Sequence, residues 1–197
     1  MISLQHNCLF IHVPRTGGTS IERSGLFTLP QPQHWRAQDY FDLLGAGAWW
    51  ELYRFAFVRN PWDRAVSAYL NAGEVRNPEH WGFEKWCCDF FANNDFRWRG
   101  EWGDRTKREV FEQWEMLSID GVLADFSYLG QYEMLQEGFD IVCGDIELPQ
   151  TQLQHINQTR EPGEHYSQWH TPETRDAIAR RFAKDIELFA YEYEEQA

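Results

Sequence analysis

The chain is 197 residues long, 43% hydrophobic and 25% charged, with a net charge of −13. That length suits a single domain over residues 1–197 with a sizeable core. The acidic balance speaks against a broad nucleic-acid-binding face and against a highly sulfated polymer as a docking partner. No apolar run approaches the roughly 20 residues of a membrane span, and the N-terminus lacks the basic segment and long apolar region of a secretory signal. Cys8, Cys87, Cys88 and Cys143 form no disulfide framework, so reduced thiols in a cytoplasmic protein are expected. No Cys/His cluster has zinc spacing, and no metal is expected.

The first readable element is the apolar run Cys8-Leu9-Phe10-Ile11-His12-Val13, a buried strand that Pro14 ends. Thr16-Gly17-Gly18-Thr19-Ser20 then makes a tight turn, and Ile21-Glu22 opens a helix. Strand, glycine turn and helix start together present backbone N–H groups to a phosphate or sulfate. The hydroxyls of Thr16, Thr19 and Ser20 add donors, and Arg15 adds a permanent charge. This is not a Walker A motif, which needs Gly-Lys-Ser/Thr four residues after its first glycine. The bland alternative is an ordinary Gly-Gly turn with Arg15 in solvent.

Pro30 and Pro32 argue against regular structure after the first helix. Gln33–Leu44 then carries a helical pattern with Trp35, Tyr40, Phe41 and Leu44 apolar. His34 opens it and is the one histidine between the glycine loop and the next motif; most lone histidines are structural or solvated. Arg54–Val58 is a second buried strand that runs straight into Arg59-Asn60-Pro61. Asn60 is suited to cap a new helix and Pro61 to begin it. Arg59, like the glycine loop, follows a strand's C-terminal end, where ligands of open α/β sheets gather. Arg64 and Ser67 share one face of the helix.

The stretch from 71 to 125 is rich in aromatics, among them Trp81, Phe83, Trp86, Phe91, Trp98, Trp102 and Trp114. Phe83–Phe91 and Arg105–Trp114 read as helices with a polar loop over Asn93–Arg108. Most of these rings are expected in the core, and an exposed tryptophan would suit stacking on a sugar. Phe126–Glu133 reads as a third strand leading into a helix over Met134–Phe139. Near the end, Thr171 is an N-cap with Pro172 at the first helical position. Ile178, Phe182, Ile186 and Phe189 form a core stripe at helical spacing, and Tyr191–Glu195 is a solvated tail.

Two of these stretches resemble the donor-site motifs of sulfotransferases that use 3′-phosphoadenosine 5′-phosphosulfate (PAPS), in particular the Golgi-type and bacterial family 2 branch. HVPRTGGTS, residues 12–20, is similar to the 5′-phosphosulfate loop, with Arg15 where the family usually has lysine. FVRNPWDRAVSAY, residues 57–69, is similar to the 3′-phosphate motif. The resemblance implies that Arg15, Thr16, Gly17, Gly18, Thr19 and Ser20 hold the phosphosulfate, and that Arg59 and Ser67 hold the 3′-phosphate. It implies that Arg15 also stabilises charge on the leaving oxygen. Several branches place a catalytic histidine where His34 stands, which makes His34 the expected base and Glu22 the alternative.

Later segments are similar with departures. Leu153–Arg160 resembles a His-x-Asn-x-Ser/Thr segment through His155, Asn157 and Thr159, with Arg160 where a basic loop also reaches the 3′-phosphate. Gly130-Gln131-Tyr132-Glu133 stands in place of Gly-Arg-Phe-Glu, and Trp169-His170 in place of a Tyr-Tyr pair. The implied fold is α/β, a central mainly parallel sheet flanked by helices, of the P-loop nucleotide-binding type. The implied activity moves a sulfuryl group from PAPS to a hydroxyl or amine, a carbohydrate first among acceptors, and leaves adenosine 3′,5′-bisphosphate (PAP). The second strand ends in Arg59 and not in a magnesium-holding carboxylate, which fits metal-free transfer. Two other classes stand beside it: a Mg²⁺-dependent P-loop kinase or ATPase, and a non-catalytic nucleotide-binding module of the same fold.

Overall fold

The computed structural model describes residues 1–27, 34–71, 82–92, 111–154, 156, 160 and 163–196. In chain order these form β1 (Ile2–Ser3), β2 (Cys8–Ile11), α1 (Gly18–Glu22), α2 (Ala37–Glu51), β3 (Tyr53–Val58), α3 (Pro61–Asn71) and α4 (Phe83–Trp86). A π-helical stretch over Cys87–Phe91 continues α4. Then come α5 (Gln113–Met116), β4 (Ser118–Ile119), β5 (Val122–Leu123), β6 (Tyr128–Gln131), α6 (Leu135–Asp145), α7 (Pro172–Arg181) and α8 (Ala183–Phe189). The backbone gathers into two compact units, Met1–Arg59 with Gln113–Ile156, and Asn60–Glu112 with Asn157–Ala197.

The first unit is built on a four-stranded sheet in the order β1-β2-β3-β6. β1 is antiparallel to β2, whereas β2, β3 and β6 run parallel, with Phe10 opposite Phe55 and Phe57 opposite Gly130. The α/β class and the mainly parallel central sheet with helices about it are therefore as expected. Strand residues alternate between faces. Cys8, Phe10, Phe55 and Phe57 point to one side, where Phe139, Val142 and Cys143 of α6 cover them together with Ile21, Leu26 and Phe27. Each fully buried Phe or Val contributes about 1.5–3 kcal/mol relative to exposure, which ties α6 to the sheet. Burial pushes the Cys8 thiol up to about 12, so it behaves as a packing group.

Arg54 shows how a charge can lie inside a strand. Its Nη1 donates to the carbonyls of Trp49, Trp50 and Leu52, and its Nε to that of Asp125. The guanidinium thereby satisfies acceptors that the C-terminal end of α2 leaves open.

Several boundaries differ from the sequence expectation. The first helix begins at Gly18, earlier than Ile21, because Gly17 in the left-handed region (φ 77) turns the chain at its N-cap. The range of α2 joins two helical stretches across a break at Gly45 (φ 75, ψ 162): the first ends at Leu44 as the pattern predicts, and a second runs on to Glu51. A small hairpin, β4 with β5, closes on Asp120-Gly121, both at positive φ. Asp-Gly is the sequence signal of such a turn.

The second unit is helical. Asn60 caps α3 as expected, its Oδ1 accepting from the Trp62 N–H at 3.1 Å while its own amide donates to the Glu192 carbonyl. Trp62, Tyr69, Phe83, Trp86, Phe91, Ile178 and Phe182 make an aromatic core. His170 is part of it, with Nε2 donating to the Trp62 carbonyl and Nδ1 3.1 Å from the Thr174 hydroxyl. Burial lowers its pKa to about 4. Thr171 accepts from the Thr174 N–H in a capping box, with Pro172 first in α7. The C-terminal stripe is apolar as expected, but the helix breaks at Phe182 (φ −109, ψ 27), so Ile178 and Phe189 lie on two helices.

The expectations for Pro30, Pro32, Gln33, Trp81, Asn93–Arg108, Trp98, Trp102, His155, Asn157 and Thr159 lie outside the described residues, as do residues 105–110 of the expected helix. Among the described residues no helix is long and apolar enough to cross a membrane.

Candidate functional site

Three parallel strands bring their C-terminal ends to one edge of the first unit's sheet, and each is followed by a residue of interest. After β2 come His12, Pro14 and the glycine loop; after β3 comes Arg59; after β6 comes Tyr132. The sequence fixes this by placing apolar residues in the strands and turn-forming or charged residues directly behind them.

The two loop glycines are required for different reasons. Gly17 needs its positive φ, and a Cβ there would also meet Leu135 and the Tyr132 ring at 2.5–3.1 Å. Gly18 has helical geometry, but a Cβ on it would fall 2.1–2.7 Å from atoms of the His12 ring. Arg15 is itself left-handed, at φ 69. A non-glycine residue there carries a cost of about 1–3 kcal/mol that its surroundings must over-determine.

Thr16 is fully buried, and its hydroxyl donates to the Val13 carbonyl at 2.9 Å. Its hydroxyl hydrogen is thus used to fold the loop. Ser20 is buried, its N–H held by the Gly17 carbonyl at 2.9 Å, and Thr19 is half-buried.

Arg59 reaches this loop directly. Its Nη1 donates to the Arg15 carbonyl at 3.0 Å, and its guanidinium lies 4.0 Å from the centre of the Tyr132 ring. Tyr132 therefore packs between Gly17 and Arg59, holding the arginine plane by cation–π contact. The backbone of Arg59 is clamped in turn by Gln113: its N–H donates to Gln113 Oε1 and its carbonyl accepts from Gln113 Nε2, both at 2.8 Å. Neither Tyr132 nor Gln113 was among the expected site residues. Tyr132 stands beside the Gln131 departure, whereas Gln113, between Glu112 and Trp114, carries no local signal of its role. Gln131 itself is exposed at the end of β6.

His34 is half-buried, at φ 62, with Nδ1 3.0 Å from the His12 carbonyl. Glu22, the alternative base, sits with Oε1 2.7 Å from His12 Nδ1. The first unit thus brings the glycine loop, Arg15, Arg59, His34 and Glu22 to one strand edge. Ser67 belongs to the second unit, almost wholly buried on α3. On the same helix, Asp63 pairs with Arg160 at 2.6 Å.

Of the tryptophans expected in the core, Trp86 is buried and Trp114 half-buried; elsewhere Trp49 and Trp62 are buried, whereas Trp50 is exposed and lies against Arg54. Among the described residues no group of three or more His, Cys, Asp or Glu side chains is arranged to hold a metal ion.

A family model described as Sulfotransferase family matches residues 1–192. No curated protein and no solved structure matches the chain.

Proposed function

Given that the chain belongs to the sulfotransferase family, we propose that it moves a sulfuryl group from PAPS to a hydroxyl or amine, with a carbohydrate hydroxyl as the acceptor. PAPS supplies a sulfuryl group activated in a phosphosulfate anhydride. The observation that carries the reading is the Arg59–Arg15 hydrogen bond, which puts the residue implied for the 3′-phosphate against the loop implied for the 5′-phosphosulfate.

In this reading the backbone N–H groups of residues 17–19 and the Arg15 side chain hold the phosphosulfate oxygens and stabilise negative charge on the bridging oxygen. Arg59, kept flat by Tyr132 and fixed in register by Gln113, holds the 3′-phosphate. The assignment of Ser67 to that phosphate rests on sequence resemblance alone. His34 takes the proton from the acceptor at Nε2. The acceptor's O–H bond breaks as its oxygen bonds sulfur, and the pair of the bridging S–O bond leaves with PAP. No metal enters these steps. Free cysteines, three of them buried, suit the reducing cytoplasm as the working compartment.

The test is release of PAP from PAPS in the presence of a panel of neutral and amino sugars, with magnesium chelated, followed by mass analysis of the sugars. Sulfated sugar formed in step with PAP supports the proposal. Turnover of ATP that depends on Mg²⁺, with PAPS untouched, points instead to kinase chemistry.

A further inference from the structure

His12 and Glu22 have no part in the steps above, yet they stand directly behind His34. His12 follows β2 on the Phe10 face of the sheet, its ring stacked on Phe10 at 5.5 Å and 18°. Its Nδ1 is 2.7 Å from Glu22 Oε1, and both side chains are nearly buried, at 5% and 11% exposure. Its ring occupies the space a side chain at Gly18 would need. Its carbonyl meets His34 Nδ1 at 3.0 Å, and the two imidazole rings lie 4.2 Å apart, tilted by 55°. One residue therefore contacts α1, the glycine turn and His34 through three different groups.

The chemistry of these contacts fixes protons. A carbonyl oxygen only accepts, so His34 carries its hydrogen on Nδ1 and, when neutral, a lone pair on Nε2. An ionised carboxylate only accepts, so His12 carries a hydrogen on Nδ1 as well. Two imidazolium rings 4.2 Å apart would repel strongly in a partly buried site. A carboxylate at Glu22 offsets charge that the ring pair takes up.

We infer that His12 and Glu22 are positioning residues for His34. The His12 carbonyl locks the Nδ1–H tautomer and its ring backs the His34 ring, while Glu22 anchors His12 and offsets the charge His34 acquires. The catalytic consequence rests on His34 being the base proposed above; the tautomer does not. Glu22 is thereby engaged inside the fold, which separates it from the role of a second base. Among the described residues, Tyr40 of α2 and the Met1 amine also feel Glu22. Burial raises the first to about 12 and lowers the second to about 5, so neither is charged near neutral pH.

The experiment is nitrogen-15 NMR of the histidine rings in the full chain, for wild type, Glu22→Gln and His12→Phe, with His34→Asn to assign the signals. The expected result is an Nδ1–H tautomer for His34 in wild type, and a His34 titration midpoint that falls by about half a pH unit or more in Glu22→Gln. In the transfer assay Glu22→Gln lowers kcat roughly tenfold, less than the ~10²–10⁴ of losing the base itself. Its acid limb moves the same way, with KM for PAPS unchanged. His12→Phe keeps the carbonyl and the stacking but loses Glu22, and reproduces that midpoint. An Nε2–H tautomer in wild type, or a midpoint unmoved in both variants, overturns the inference. So does Glu22→Gln being as inactive as His34→Asn with the His34 midpoint unmoved, which would make Glu22 the base. If the ring signals behave as expected and wild type transfers no sulfuryl group, the positioning stands and the transfer reading fails.

Discussion

The two units handle buried histidine in opposite ways. In the second unit His170 sits in an aromatic core with both ring nitrogens bonded, one to the Trp62 carbonyl and one to the Thr174 hydroxyl. Desolvation holds it neutral, far below its ordinary pKa. In the first unit His34 is half-buried at a strand edge, tied through Nδ1 to a carbonyl and backed by a second ring that a carboxylate holds. The first arrangement excludes a proton; the second is suited to take one up and give it away. The lesson is that a histidine's role follows from how far it is desolvated together with what each nitrogen meets.

The sharpest way to break this contrast is to remove each ring in turn. His34→Asn keeps a residue that tolerates the left-handed backbone and still donates to the His12 carbonyl. It is expected to lower turnover by ~10²–10⁴-fold while the thermal midpoint stays near that of wild type. Unchanged turnover would remove His34 from the chemistry.

His170 is expected to act on stability alone. The folded protein holds it neutral, so the unfolded chain binds the proton first. Its stabilisation is fully present above the ordinary value of 6.5 and is lost as pH falls from there toward about 4. At 1.36 kcal/mol per pKa unit, the loss is about 3 kcal/mol. Urea titrations across that window should show it, and His170→Phe should flatten the slope. An equal slope in the variant would mean that another group drives acid unfolding.

Gly18→Ala tests the contact between the loop and His12. The added carbon would overlap the ring, and the cost of forcing it is about 1–3 kcal/mol, together with a displaced Glu22 hydrogen bond. Full stability and an undisturbed His12 ring signal would show that the packing is looser than described. The smallest effect is expected at Thr171→Ala, where loss of the capping box should cost about 1 kcal/mol, read as a lowered denaturant midpoint with turnover intact.

Much of the first unit was legible because its signals are local. Leu9–Ile11 and Phe55–Val58 announce buried strands by unbroken apolar runs, and Asn60-Pro61 announces the start of α3 within two residues. The glycine loop declared itself by composition. What the sequence hid lies in pairs distant along the chain. Gln113 grips Arg59 across 54 positions, and Tyr132 reaches Gly17 from the far strand of the sheet. His12 was read only as a strand residue, because nothing local shows that its ring displaces a side chain at Gly18. Gly45 does break α2, as glycine commonly does, but the pattern gave no sign of the helical stretch beyond it; Arg54 secures the far end of that stretch from the next strand. Asp120-Gly121 was a hairpin signal in plain view.

Arg54 and Arg59 bring the matter to one measurement. Both are buried arginines in or beside β3, but one serves the carbonyls at the end of α2 and the other lies at the glycine loop. Adenosine 3′,5′-bisphosphate should be titrated calorimetrically into wild type, Arg59→Gln and folded Arg54→Gln, beside ATP with Mg²⁺. The expected result is binding of the bisphosphate in preference to ATP, lost in Arg59→Gln and kept in Arg54→Gln. Equal bisphosphate binding by wild type and Arg59→Gln, or preference for ATP with Mg²⁺, would contradict the assignment of this strand edge as a PAPS site.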